Sequence, residues 1–430
     1  MLILFVFACG AMIAIDYWIN RRLISVISTM AIPYMIIIPL NNLIGVHYGF
    51  YKISNDVIGM LLLGLIMLFL GSVCTDVRKR VSLTHRVIDY EQKKGKIHMY
   101  NVKGMLKYVI FVEIVTFGRL VYIIQLKGFA FLAMEDYSGI LIQGILGNLF
   151  LTIYPIVPVL FYYWLQNKKK AGYLIISLAA IALYFMTFVK YHSIGLIVLI
   201  FFFVSYEEKK YIKKGALLLT GAVIAFFVGN YFFTFAIRGV TSVISQNYYI
   251  NHLWNYISGS LIYDNCIFID GIRMDVSIFY KLGTFIFPPV NIFLNAFFGI
   301  SICPHNALPF RRVGSNGESG NVVDAIGYLF PSKGGAIDYI MFAFTMFFIG
   351  LFFSVIYNKA LKVKNHLGVT ICAFLTFFCF FSFFGTFYIS IVPYKILLWS
   401  VIMLKLFDRR FRIRFGKRVR IKNTGNIFRK

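Results

Sequence analysis

Acidic residues are scarce in this chain of 430 residues: 17 Asp and Glu stand against 43 Lys and Arg. Cysteine is scarcer still, at six, and no CxxC pair, HExxH run or regular metal-ligand spacing occurs, so the expectation is a protein without a metal site or cofactor. Met1 to Ile15 has no basic n-region and no small-residue cleavage site before Asp16 and Arg21, which argues against a cleaved signal peptide and for a first membrane span. Repeats of the kind that build inverted-topology transporters are absent as well.

Apolar residues are abundant: 60% of the chain is hydrophobic and the mean hydropathy is +0.78, which excludes an ordinary soluble fold. The apolar runs are continuous rather than alternating, and several are long enough to cross roughly 30 Å of hydrocarbon as helices. The fold class expected is therefore all-α, a polytopic integral membrane protein. Eleven helices are predicted near 1–17, 23–41, 57–74, 105–125, 140–165, 171–189, 193–205, 215–235, 339–357, 367–387 and 391–406.

The net charge of +26 is a matter of placement. Of the 43 cations, 31 fall in alternate connections and in the tail KLFDRRFRIRFGKRVRIK. By the positive-inside rule that set is cytoplasmic, with the N-terminus outside and the C-terminus inside. The charge then reports topology and attraction to anionic membrane lipids, and no nucleic-acid partner is expected. The organisation that follows is a first bundle of about eight spans over 1–235, a large external loop over 236–338, three last spans over 339–406 and a basic cytoplasmic tail over 407–430. Within the loop, 284–300 carries Pro288 and Pro289 at its centre and reads as a bent segment that does not cross. Cys266 and Cys303 both lie in the loop, where an oxidising compartment would allow a disulfide.

Few charges lie outside the cytoplasmic set. Arg119 sits inside the fourth span with Glu113 six residues before it; an intramembrane Arg is a functional candidate, a snorkelling residue or the partner of a structural pair. Lys190 and His192 lie in FVKYHSIGL, read as a tight outer turn before a helix of about 13 residues, too short to span upright. The loop contributes Arg238, Arg273, Lys281, Arg311, Arg312 and Lys333, balanced by Asp264, Asp270, Asp275, Glu318, Asp324 and Asp338. Such a balance suits a site in which cations hold phosphate and a carboxylate takes a proton, and equally suits loop ion pairs. His305, between two prolines in ICPHNALPFRR, reads as a packed turn residue or as a base. Trp254, Tyr248, Tyr249 and Tyr256 read as sugar-stacking rings or as an interfacial belt.

The end of the loop and the span after it, NVVDAIGYLFPSKGGAIDYIMFAFTMFFIGLFFSVIY, resembles the bacterial oligosaccharide repeat-unit polymerases, the Wzy-type O-antigen and capsule polymerases. FVKYHSIGLIVLIFFF is similar to their outer turn, with Lys190 where an Arg is commoner. The resemblance implies a multi-pass glycosyltransferase of the GT-C class in the bacterial inner membrane, metal-independent, with undecaprenyl-diphosphate-linked oligosaccharides as donor and acceptor and a chain-length regulator protein as a partner. Arg119, Arg238, Arg273, Arg311, Arg312, Lys333 and Lys190 are then the candidates to bind the diphosphate, and Asp324, Glu318 or His305 the candidates for the base, Asp324 first. In AIGYLFPSKGGAIDY, Pro331, Gly334 and Gly335 would turn the chain back into lipid. A lipid-linked oligosaccharide flippase and an O-antigen-ligase-like transferase are the alternatives, and the long loop speaks against the flippase.

Overall fold

A computed structural model describes residues 1–83, 100–134, 137, 139–167, 170–238, 244–268, 290, 294, 298, 300, 309–330, 335–362, 366–385 and 391–409. Thirteen α-helices lie in that range: α1 (Leu2–Asn20), α2 (Val26–Leu43), α3 (Asn55–Leu83), α4 (Val102–Lys127), α5 (Gly144–Leu151), α6 (Val157–Gln166), α7 (Ala171–Phe185), α8 (Lys190–Glu207), α9 (Ile212–Arg238), α10 (Ile244–Phe268), α11 (Ala336–Lys362), α12 (His366–Phe380) and α13 (Ile391–Phe407). Among them α1, α2, α3, α4, α11 and α12 are long and apolar enough to cross a membrane, and α7 and α8 are shorter apolar helices. The chain is thus an all-α protein of membrane character, with one two-residue hairpin, β1 (Arg311–Arg312) against β2 (Ser319–Gly320).

Three expectations change. The single helix expected over 140–165 is instead a 3-10 turn (Ile140–Ile142), α5 and α6, with turn residues at 152–156. Pro155 and Pro158 have no N–H to give to an uninterrupted ladder, and Gly144 takes a φ of +67°. Lys190 and His192 belong to the first turn of α8, which at 18 residues is longer than expected. Finally, the loop contains α10, a 25-residue helix that the mixed composition of NHLWNYISGSLIYDN concealed. The proline-centred segment 284–300 lies almost entirely outside the described residues, as does Cys303; Cys266 is buried on α10.

The chain forms two compact units. The first comprises 1–87, 242–359 and 375–394, and the second 88–241, 360–374 and 395–430. In the first unit α1 packs on α2 and α3. Ser25 and Ser28 cap the start of α2 reciprocally, satisfying two otherwise orphaned donors. Small residues let α3 and α11 meet backbone to backbone. A Cβ on Gly71 would strike the Phe347 carbonyl, and one on Gly350 would strike the Leu68 carbonyl. Beside them the Ser354 hydroxyl donates to the Ser72 carbonyl at 3.2 Å and lies 2.5 Å from the Thr75 hydroxyl. Where lipid removes the hydrophobic drive between helices, close approach of this kind and side-chain hydrogen bonds hold the pair together.

The second unit holds its interrupted helices together through tyrosine hydroxyls aimed at carbonyls. Tyr137 donates to Met186 O (2.6 Å), Tyr184 to Phe150 O (2.9 Å) and Tyr154 to His192 O (3.0 Å). The rings of Phe150 and Tyr184 stack at 4.1 Å. At another end of this unit buried His366 bonds Glu207 through Nδ1 at 2.6 Å, flanked by Tyr100, Tyr162 and Phe203.

The α3–α11 contact generates the first prediction. Gly350→Leu forces the helices apart and costs about 1–3 kcal/mol or more, as overpacking does. It is read as a lowered unfolding temperature of the purified protein in detergent. Gly10→Leu, where nothing stands within 4 Å, leaves that temperature unchanged.

Candidate active site

The β1–β2 hairpin gathers three of the candidate residues. Arg311 pairs with Gly320 and Arg312 with Ser319, and the Val313 N–H closes the turn on Glu318 O at 2.8 Å. Gly317, at φ +92°, supplies the left-handed residue that the turn needs. Side chains alternate across the strands, so Arg311, Val313 and Glu318 share one face and Arg312 takes the other. Both arginines are exposed, and neither forms an ion pair among the described residues. Next to them Phe310 is 70% exposed.

The hairpin is tied to α10 and to the connection between α2 and α3. Tyr51 N–H donates to Val313 O (2.9 Å), Ser315 N–H to Gly49 O (2.8 Å) and Asn255 Nδ2 to Ser319 O (3.0 Å). Glu318 accepts from Asn251 Nδ2 at 2.6 Å through one oxygen, while its other oxygen, Oε2, is buried and has no hydrogen-bond partner among the described residues. Trp254 lies at the same end of α10, with its indole N–H on Asn41 Oδ1 (3.1 Å) and its ring 5.8 Å from Tyr48. Two exposed guanidiniums, a half-buried carboxylate and an aromatic pair therefore stand on one support.

Below the hairpin, residues 323–330 are all buried without forming an α-helix. Ile326 reaches α3 near its middle, where its Cγ2 would stand 2.9 Å from a Cβ on Gly64, beside Phe342 and Met346 of α11. The backbone is satisfied locally: Ala325 N–H donates to Ser382 O (2.8 Å), Tyr328 N–H to Asp324 O (3.0 Å) and Phe330 N–H to Gly327 O (3.0 Å). The Asp324 carboxylate accepts the Gly327 N–H, as a capping residue does. Asp324 is fully buried, and so is Asp264 on α10, whose carboxyl contacts it. Burial first, and the neighbouring carboxyl for Asp264, raises both above the usual carboxylate range. The Tyr34 hydroxyl of α2 faces Asp324.

Asp324, the first-ranked base, thus stands fully buried and caps a turn, whereas Glu318 is half-buried on the hairpin. Asp264 counts among the balanced loop acids and is not ranked as a base; its place inside the apolar LIYDNCIF is the available signal of burial. A recess of about 20 Å³ lined by Asp16, Arg22, Ser72 and Asn358 among others contains none of the candidates.

Arg119 belongs to the second unit. Its guanidinium donates to three carbonyls, Ile140 O (2.7 Å), Gln143 O (3.0 Å) and Leu141 O (3.2 Å), and so satisfies the interruption before α5. It forms no pair with Glu113, which six positions away lies about 120° around the helix and is buried. Lys190 and Arg238 are placed by backbone only, in the first turn of α8 and at the end of α9. Arg273, His305 and Lys333 lie outside the described residues.

These bonds predict that Arg119→Met destabilises the second unit, since each carbonyl loses a charge-assisted donor worth about 1.5–3 kcal/mol. Limited proteolysis should then cut near 139–144. A variant with unchanged thermal stability and proteolysis would remove the clamp from Arg119.

Compared with models of known protein families, with curated proteins and with solved structures, the chain matches none.

Proposed function

We propose that the chain polymerises undecaprenyl-diphosphate-linked oligosaccharide repeat units by glycosyl transfer at the outer face of the bacterial inner membrane. The observation that carries this reading is the hairpin, where Arg311, Arg312 and Glu318 are brought together on α10 next to Trp254 and Tyr48. In this reading α5 with α6, α7, α8, α9 and α13 also cross the membrane, which makes eleven spans of a GT-C-type architecture, with the N-terminus and the hairpin outside and the C-terminus inside. The charge distribution supports that orientation.

Glycosyl transfer to a sugar hydroxyl breaks the bond between the anomeric carbon and the diphosphate oxygen, and the lipid diphosphate leaves with the electron pair. Fixed positive charge at the leaving oxygen is the largest electrostatic contribution a protein can make to this step. Arg311 and Arg312 serve it, because a guanidinium keeps its charge on desolvation and meets phosphate through two donors. The acceptor hydroxyl forms the new bond to the anomeric carbon and gives up its proton to the half-buried carboxylate of Glu318. Trp254 and Tyr48 offer ring faces to the sugars. Arg119 is spent on carbonyls, so it drops behind the hairpin arginines as a diphosphate ligand.

The test is gel analysis of surface glycan from a strain deleted for this chain and complemented with variants. Deletion should leave single repeat units still exported, which a flippase would not. Arg311→Ala should lower chain extension about 10²- to 10³-fold, the loss typical of one oxyanion-stabilising donor. Glu318→Gln should lower it about 10²- to 10⁴-fold, as expected for a general base, with the protein inserted normally. Wild-type ladders from both variants would remove the hairpin from the chemistry.

A further inference from the structure

Asp264 and Asp324 come from positions 60 residues apart, one on α10 and one in the buried 323–330 segment, and both are 0% exposed. Neither oxygen of Asp264 receives an N–H or O–H from the described residues. Gly327 closes over it so tightly that a Cβ there would collide with the Asp264 carboxylate. Among the described residues, the titratable groups facing the pair are the Tyr34 hydroxyl of α2 and the Cys266 thiol of α10. Next to Asp324 in the chain, Ile326 meets Gly64 of α3 beside Phe342 and Met346 of α11, and the Ala325 N–H donates to the Ser382 carbonyl in the 3-10 turn Phe381–Phe383 after α12. Arg311 acts on Tyr263, next to Asp264 in the chain, and no described cation acts on the pair itself.

Two fully buried carboxylates in contact, with no cation acting on them among the described residues, cannot both be charged: like charges a few ångströms apart in a low-dielectric interior repel by far more than folding can offset. Either a proton or a metal cation must lie between them. A hard cation asks for about six oxygen ligands, whereas this site offers two carboxyls and one hydroxyl.

We infer that Asp264 and Asp324 form a single-proton site, a carboxylic acid bonded to a carboxylate, and that the shared proton holds the 323–330 segment in its buried position. Its loss leaves two negative charges in an apolar bundle and favours release of the segment, which begins three residues beyond β2. The proton therefore couples external or local pH to the support of Arg311 and Glu318. The site does not depend on the glycosyl-transfer reading, because its test needs no activity.

The sign follows from linkage. In the folded chain the pair keeps a proton that two free carboxyls would have lost above their ordinary value of about 3.9, so the folded state binds the extra proton through the neutral range. Stability is then full below the ordinary carboxyl value of about 3.9, declines by about tenfold in the folding equilibrium per pH unit while the folded chain alone keeps the proton, and levels off above the pair's raised value. Thermal unfolding of the purified full-length protein in detergent from about pH 5 to about pH 9 should show that decline. Infrared spectra should show a protonated carboxyl band fading over the same range.

Asp264→Asn and Asp324→Asn each replace the shared proton with an amide donor. Each should flatten the pH dependence, diminish the band and leave the protein at least as stable as the wild type at the alkaline end. A wild-type protein whose stability does not fall with pH, or whose infrared band is absent at neutral pH, overturns the inference even if the variants fail to fold. So does a pH midpoint that shifts when potassium is exchanged for sodium or calcium, because a cation would then occupy the site.

Discussion

Backbone that leaves the helix inside an apolar bundle must find a partner for every N–H and C=O within the protein, and this constraint governs both units. Each unpaired group away from water costs several kcal/mol, so irregular segments survive only where neighbouring side chains or turns satisfy them. In the first unit the solution is acidic. The 323–330 segment needs an acceptor for the Gly327 N–H, and the Asp324 carboxylate supplies it. That brings a charge into the interior, and Asp264 stands against it. The buried pair is thus a consequence of how the segment is folded, and its proton a consequence of the pair.

In the second unit the unpaired groups are carbonyls, so the solution is cationic and phenolic. Arg119 covers three carbonyls at 140–143, and Tyr137, Tyr154 and Tyr184 cover others. An arginine fits here where a lysine would not, because one planar group carries donors enough for three acceptors in fixed directions. An ionisable residue inside a span is expensive, which is why Arg119 stood out; its expense is met by backbone and not by Glu113.

The helices were legible because continuous apolar runs of about 20 residues have few other physical outcomes, and α1 to α4, α7 to α9 and α11 to α13 lie near where the hydropathy put them. The hairpin was legible as a turn from RRVGSNGESGN, where glycine and asparagine accumulate. The break at 152–156 was signalled by Pro155 and Pro158 but masked by the apolar residues around them. The helix α10 escaped because its polar residues follow no single face, and its length has to come from packing on the hairpin and on α2. The Asp264–Asp324 contact escaped for a deeper reason: periodicity reports which side of an element is apolar, and says nothing about which two distant acids meet.

Exposure then sorts residues of one chemical type into different duties. Arg311 and Arg312 keep their donors available at the surface, whereas the donors of Arg119 are committed to carbonyls. Glu318 is half-buried with one oxygen on Asn251, whereas Asp324 is fully buried, spends one oxygen on the Gly327 N–H and turns its carboxyl to Asp264 and Tyr34. A base must give its lone pair to a substrate hydroxyl, and a carboxyl enclosed on every side has no path to one. Asp324, within the resemblance-bearing stretch, therefore supports its own buried segment, and Glu318 on the hairpin is the more exposed of the two acids.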